Sequence, residues 1–236
     1  MSASLYLIPV TLGDTTFDQV LPSYNQKIIA SIKHFIVENK KSAIRFLVRA
    51  VEGIDIDSLT FYELSEHTDS KTNIDYMLKP ALNGEDTGII SEAGCPAIAD
   101  PGSLAVELAH KKNIPVVPLV GPNSIILSLM SSGFNGQNFA FNGYLPVKPN
   151  ERTSKLHQLE NKVWKENQTQ IFIETPYRNE QMISSILSAC RPDTKLCIAC
   201  GLTTAEQFIS TKTVAQWKKT PLPPVKKIPA IFLLYK

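Results

Sequence analysis

One stretch constrains this chain more than any other: Ile89-Ile90-Ser91-Glu92-Ala93-Gly94-Cys95-Pro96-Ala97-Ile98-Ala99-Asp100-Pro101-Gly102. An apolar run stops abruptly, small residues and prolines follow between acids, and residues 103–109 then show helical spacing. The pattern reads as a buried strand, a long shaped loop, and a helix starting just after Pro101. In an α/β sheet, the loop at the carboxyl end of a strand is where ligands sit. Gly94 and Ala93 would let a ligand approach the backbone, while Pro96 and Pro101 stiffen the loop. An ordinary strand-to-helix connection would share this outline, since most surface loops bind nothing. A second segment, residues 114–127, repeats the theme: a short β-branched strand, the turn Gly121-Pro122-Asn123-Ser124, then an apolar helix.

The rest of the chain fits around these two segments. Strand patterns at 5–8, 35–37, 87–90, 116–119, 139–141, 170–173, 196–199 and 230–234 alternate with helical ones near 17–30, 40–51, 72–82, 102–112, 123–132, 151–166, 178–190 and 213–219. Such alternation predicts α/β layers with mainly parallel strands. With 236 residues there is room for one large or two small domains. Hydrophobic content of 43% and charged content of 19% belong to a globular chain. No apolar run approaches the roughly 20 residues of a membrane helix. The opening Met1-Ser2-Ala3-Ser4 has no signal pattern, so a cytoplasmic protein without membrane partners is expected. Net charge of +2 neither supports nor excludes a nucleic-acid substrate.

Three groups of residues could carry chemistry on pattern alone. Cys197-Ile198-Ala199-Cys200 is formally a CxxC, but it reads as a buried strand whose alternate residues face opposite sides, and no metal is expected. There is no GxGxxG after the first strand, which argues against a standard dinucleotide fold. On the helix near 40–51, Lys41, Arg45 and Arg49 share one face at i, i+4, i+8. That basic stripe suits RNA phosphate, and a solvated helix face would look the same.

The 91–102 and 121–124 segments resemble the SxAGxPxxxDPG and PGPS elements of the tetrapyrrole methylase superfamily. Within it, the chain is most similar to the ribosomal RNA small subunit methyltransferase I family. Residues 6–14 resemble that family's YLVATPIGN opening, 37–41 its AEDTR, 65–68 its HEHN, 141–146 its FxGFLP and 173–178 its YESPHR. Departures are visible: Asn39 and Lys41 replace an Asp and an Arg, and Cys200–Gln207 stand where the family has RELTKLHEE.

The resemblance implies a two-domain fold, residues 1–119 and 120–236, each a mainly parallel sheet flanked by helices, and a homodimer. It implies S-adenosylmethionine as cofactor. Pro9, Glu92, Ala93, Gly94, Ala97, Ile98 and Ser124 would line one side of it, and Asn142, Gly143, Tyr144, Leu145, Thr175 and Pro176 the other. Methyl transfer needs positioning and a group to deprotonate the acceptor. Glu38 and His67 are the candidate catalytic residues, and Lys41, Arg45 and Arg49 the candidate RNA ligands. The implied reaction is methylation of small-subunit ribosomal RNA at a cytidine ribose 2′-oxygen. The alternatives are a methyltransferase acting on a tetrapyrrole or other small molecule, or a cofactor-binding protein without catalysis.

Overall fold

The computed structural model describes residues 3–64 and 72–236 and divides into two compact units, Met1–Asn123 and Ser124–Lys236. In chain order the first unit contains β1 (Leu5–Ile8), α1 (Phe17–Val20), α2 (Ser23–Ser31), β2 (His34–Val37), α3 (Lys40–Ala50), β3 (Thr60–Glu63), α4 (Thr72–Met77), α5 (Lys79–Leu82), β4 (Thr87–Ile90), α6 (Gly102–Lys111) and β5 (Val116–Pro118). Its five strands pair in the order β3-β2-β4-β1-β5, all parallel. Leu5, Ile8, Phe35, Ile36, Ile89 and Ile90 are buried, as expected of a parallel sheet covered on both faces.

Strand order fixes where a site can form. The connection leaving β1 runs to β2 on one side, while the one leaving β4 runs to β5 on the other. Because crossovers keep one hand, these two neighbouring strands send their loops to opposite faces, which opens a crevice at their carboxyl ends. The register places Ile8 and Val37 both beside Ile90, so the loops starting at Pro9, Glu38 and Ser91 leave the sheet at one level.

The second unit contains α7 (Ser124–Ser132), β6 (Phe139–Tyr144), α8 (Pro149–Glu166), β7 (Thr169–Glu174), α9 (Asn179–Ala189), β8 (Lys195–Cys200), β9 (Phe208–Thr213), α10 (Val214–Trp217) and β10 (Ala230–Tyr235). Its sheet order is β6-β7-β10-β8-β9. Leu156, Leu159 and Val163 of α8 and Met182, Ile183 and Ile186 of α9 pack with Phe172 and Phe232 in one core layer. On the other layer, Leu129 of α7 packs with Ile171, Cys197 and Leu233.

The α/β layering read from the sequence holds in both units. The direction of strands differs in the second: β6 and β7 are parallel, and the other three pairings are antiparallel. The cause is β9, absent from the sequence reading. It follows β8 after only residues 201–207, too few for a parallel crossover of about a dozen residues, so the pair closes as a hairpin. The other strand missed, β3, is a four-residue edge with partly exposed side chains and no apolar run to mark it. The helix expected at 17–30 is two helices, because Pro22 has no N–H to continue the first and holds an extended backbone before the second.

Candidate functional site

The crevice of the first unit is built by cross-links between its loops. Val10 N–H donates to Gly94 O at 2.9 Å, which ties the loop after β1 to the loop after β4. Cys95 Sγ lies 3.4 Å from Pro122 O, and Asn25 Nδ2 donates to Val120 O at 2.8 Å, which holds the segment after β5. Glu38 Oε2 accepts from Glu92 N–H at 3.2 Å, and Glu38 N–H donates to Ile90 O at 3.3 Å. Four strand ends are thus stitched into one surface.

Asp100 shapes the long loop. Its Oδ1 accepts from Ala97 N–H and Gly102 N–H, both at 2.8 Å. Between these donors the chain passes through left-handed conformations at Ala97 (φ 66°) and Ala99 (φ 61°), which cost an ordinary residue about 1–2 kcal/mol each. Burial pushes the Asp100 carboxyl up, and the two backbone N–H bonds pull it partly back. The sequence carried a signal for this residue, an acid just before Pro-Gly at a helix start, but it was not singled out. Cys95, whose thiol burial pushes up, was missed as well.

Several expected site residues have structural duties here. Gly94 is buried, has φ 73°, and has Leu12 Cδ2 3.2 Å from where a Cβ would stand. It shapes the loop, in contrast to the bare backbone expected to meet a ligand, so a branched side chain there would strain the loop itself. Pro9 is buried, and a Cβ on Gly121 would lie 2.3 Å from its Cγ, so Pro9 and Gly121 are packed in direct contact. Glu92, Ala93 and Ile98 are exposed and Ala97 half-exposed, so these present the loop's outer surface.

Beside this loop lies an open cleft of about 830 Å³, lined by residues 10–14, Ser42, Arg45, Phe46, Val48, Arg49 and residues 91–93. Its cationic wall is α3. Asn39 caps that helix by accepting from Ser42 N–H at 3.1 Å, so the residue standing in place of the family's Asp keeps a helix-starting role. Ala43, Phe46, Leu47 and Ala50 are buried, which turns Lys41 and Arg45 outward. Arg49 departs from the free phosphate ligand that was expected. It donates to Thr15 O at 3.1 Å, lies 3.6 Å from Asp14 and stacks 5.5 Å over Phe17, fastening the loop after β1. His67 lies outside the described residues.

The second unit carries the remaining expected residues. Asn142 and Gly143 form a bulge between the Phe141–Ile171 and Tyr144–Ile173 pairs. Asn142 Nδ2 lies 3.2 Å from Ala140 O, Gln170 Oε1 and Ile171 O, so its amide donor holds the bulge, and Gly143 takes φ 62°. Tyr144 is 59% exposed. Leu145 is only 2% exposed and belongs to the core, so its side chain cannot line a site as expected. Ser124 starts α7, half-buried. Thr175 and Pro176 follow β7 on a turn fixed by the buried Glu174, whose Oε1 accepts from Thr175 N–H and Arg178 Nε–H at 2.6 and 2.9 Å. That pair was missed, although the Glu-Thr-Pro-Tyr-Arg run contains it. Cys197 and Cys200 point into opposite core layers and cannot ligate one ion together.

No protein-family model matches the chain. Its fold is that of the methyltransferase CobJ, with a TM-score of 0.63 at 15% identity over 100% of this chain and 95% of that one. A uroporphyrin-III C-methyl transferase from Thermus thermophilus, solved with S-adenyl homocysteine, gives 0.56 at 14% identity over 99% and 98%. The fold is that of these methyltransferases, and together with the sequence relatives it supports an S-adenosylmethionine-dependent methyltransferase. Within that class, the sequence is similar to proteins named Ribosomal RNA small subunit methyltransferase I. That of Vibrio cholerae is 27% identical over 215 residues, 90% of this chain and 69% of the relative. That of Buchnera aphidicola is 26% identical over 230 residues, 91% and 72%.

Proposed function

We propose that the chain methylates small-subunit ribosomal RNA, at a ribose 2′-hydroxyl, with the cofactor resting on the loop after β4. The observation that carries this reading is the open cleft that joins that loop to the outward Arg45 of α3, with Lys41 exposed one turn earlier on the same helix. S-adenosylmethionine supplies a methyl group on a sulfonium centre. The loop fits such a group: small exposed residues give close access, and its acids suit a cofactor with a cationic centre and an amino group. Glu92, Ala93, Ala97 and Ile98 would hold it on the first unit. Glu92 would pair with the amino group.

Glu38 stands at the carboxyl end of β2, the described carboxylate placed to accept the proton of an acceptor hydroxyl. Its bond to Glu92 N–H links that proton acceptor to the cofactor loop, so one residue would orient both partners. Lys41 and Arg45 would contact phosphate, which positions an RNA strand without reading its bases. A homodimer belongs to the same proposal and is checked by sedimentation over a hundredfold concentration range.

The test is a comparison of Arg45→Gln with Arg49→Gln. Arg45→Gln weakens RNA binding with the fold intact. Arg49→Gln lowers the unfolding midpoint, because it releases Thr15 and Phe17. Equal RNA affinity for parent and a Lys41→Gln, Arg45→Gln variant would contradict the assignment. A porphyrinoid acceptor is the competing reading, favoured by the name of the uroporphyrin-III neighbour, and label appearing in small molecules rather than RNA would select it.

A further inference from the structure

The modest net charge conceals an asymmetry. Residues 207–236 hold six lysines and no acid, whereas the 206 residues before them hold 18 Lys and Arg against all 22 Asp and Glu. In the second unit the fold lays this segment along β8. At the strand's start, Trp217 Nε1 donates to Leu196 O at 2.8 Å. At its end, Cys200 Sγ lies 3.9 Å from Pro224 O. Asn179 Nδ2, fully buried, then fixes the chain by donating to Val225 O at 2.9 Å and Ile228 O at 2.7 Å.

Lys218 and Lys219 therefore stand near one end of β8, and Lys226 and Lys227 near the other. The four steps from Leu196 to Cys200, at about 3.3 Å each, span about 13 Å. All four lysines are exposed, and among the described residues none is ion-paired. Two of the nearby acids are engaged elsewhere, since Asp193 pairs with Arg191 and Glu160 is buried against Arg191 N–H and Thr194; Glu206 before β9 and Glu180 beside Asn179 are two exposed carboxylates against four lysines. Lys212 is different, since its Nζ lies 4.8 Å over the Trp217 ring and 3.3 Å from Thr220 Oγ1, as part of the fold. Between the lysine pairs, Pro221, Pro223 and Pro224 restrict the backbone and remove donors, so the track is stiff before anything binds.

We propose that this lysine track is a second contact surface for the phosphate backbone of the RNA substrate; it rests on the ribosomal RNA reading and adds to the α3 cations. Lysine heads are point charges that suit phosphate without demanding a base sequence. At about 3.4 Å of axis per phosphate along one helical strand, the track has room for about four.

The experiment uses the full chain with Lys218→Gln, Lys219→Gln, Lys226→Gln and Lys227→Asn. Asparagine is chosen at 227 because that residue has φ 62°, which asparagine tolerates. Filter binding of a small-subunit ribosomal RNA fragment is followed from 50 to 200 mM salt, beside calorimetric titration with S-adenosylhomocysteine. Losing four contacts makes the log–log salt slope shallower by about 3, so the affinity drop across this fourfold range shrinks roughly 60-fold. S-adenosylhomocysteine affinity stays at the parent value, which also reports an intact fold. Steep salt dependence in the parent with the same slope in the variant overturns the track alone. Absence of salt-dependent RNA binding in the parent overturns the RNA reading and the track together.

Discussion

Removing the Asp100 carboxylate tests whether the loop after β4 is a preorganised platform. In Asp100→Ala, Ala97 N–H and Gly102 N–H lose the oxygen that both reach at 2.8 Å. A hydrogen bond to a charged acceptor contributes about 1.5–3 kcal/mol, and half-burial argues for the lower end, so the pair is worth about 3 kcal/mol. Opposing it are the left-handed backbones of Ala97 and Ala99, about 1–2 kcal/mol each. These terms are of similar size, so without the carboxylate the loop relaxes out of its left-handed turns. Re-forming it on binding would cost about 2 kcal/mol, or roughly 30-fold in affinity at 1.4 kcal/mol per decade. Asp100→Asn keeps an oxygen at the same place and should stay within about threefold, as a neutral acceptor retains most of the geometry. Calorimetric titration with S-adenosylhomocysteine, alongside urea unfolding, measures both effects. Parent affinity in a folded Asp100→Ala protein would refute the claim that this clamp prepares the cofactor loop.

Other consequences follow from the same contacts. Burial raises Asp100 above its unfolded value, so the folded state holds its proton longer; this residue's contribution to stability is greatest in acid and declines as pH rises through its range. Asp100→Asn should therefore flatten that part of the stability profile, measured as urea midpoints from pH 3 upward. Burial, with the neighbouring Glu160 carboxylate, pushes the Cys190 thiol up to about 12 from 9.0. The unfolded chain ionises first, so stability from this group is lost as pH rises from 9 toward 12, and the loss should be absent in Cys190→Ala. Gly121→Ala drives a Cβ to 2.3 Å from the rigid Pro9 ring and should destabilise by about 1–3 kcal/mol in a denaturant titration; unchanged stability would show that the two loops are not packed as described.

How much was legible in the sequence follows from where each signal is stored. The strand–loop–helix around 87–111 was readable because strand burial, proline and helical spacing are local patterns, and the residues framing it are contiguous. The second sheet's directions were not, since they depend on the short 201–207 connection and on β9, whose Phe-Ile-Ser-Thr-Lys-Thr has partly exposed side chains and no clean alternation. Glu38 is a candidate in the sequence because it follows a strand. Its bond to Glu92, 54 positions away, is a tertiary fact that no spacing announces. Arg49 shared a helix face with Lys41 and Arg45, as periodicity required, yet its use was decided by Thr15 and Phe17 on a different loop. Leu145 lay in a motif that suggested a ligand, and the core claimed its side chain.

The most direct measurement is methyl incorporation from labelled S-adenosylmethionine into small-subunit ribosomal RNA by the purified chain, with label located by nuclease digestion and nucleoside analysis. If the RNA reading holds, label appears in RNA on a 2′-O-methylated nucleoside, with incorporation reduced in Glu38→Gln while cofactor affinity persists. Label confined to a small-molecule fraction, or cofactor binding without incorporation into any RNA, would contradict it.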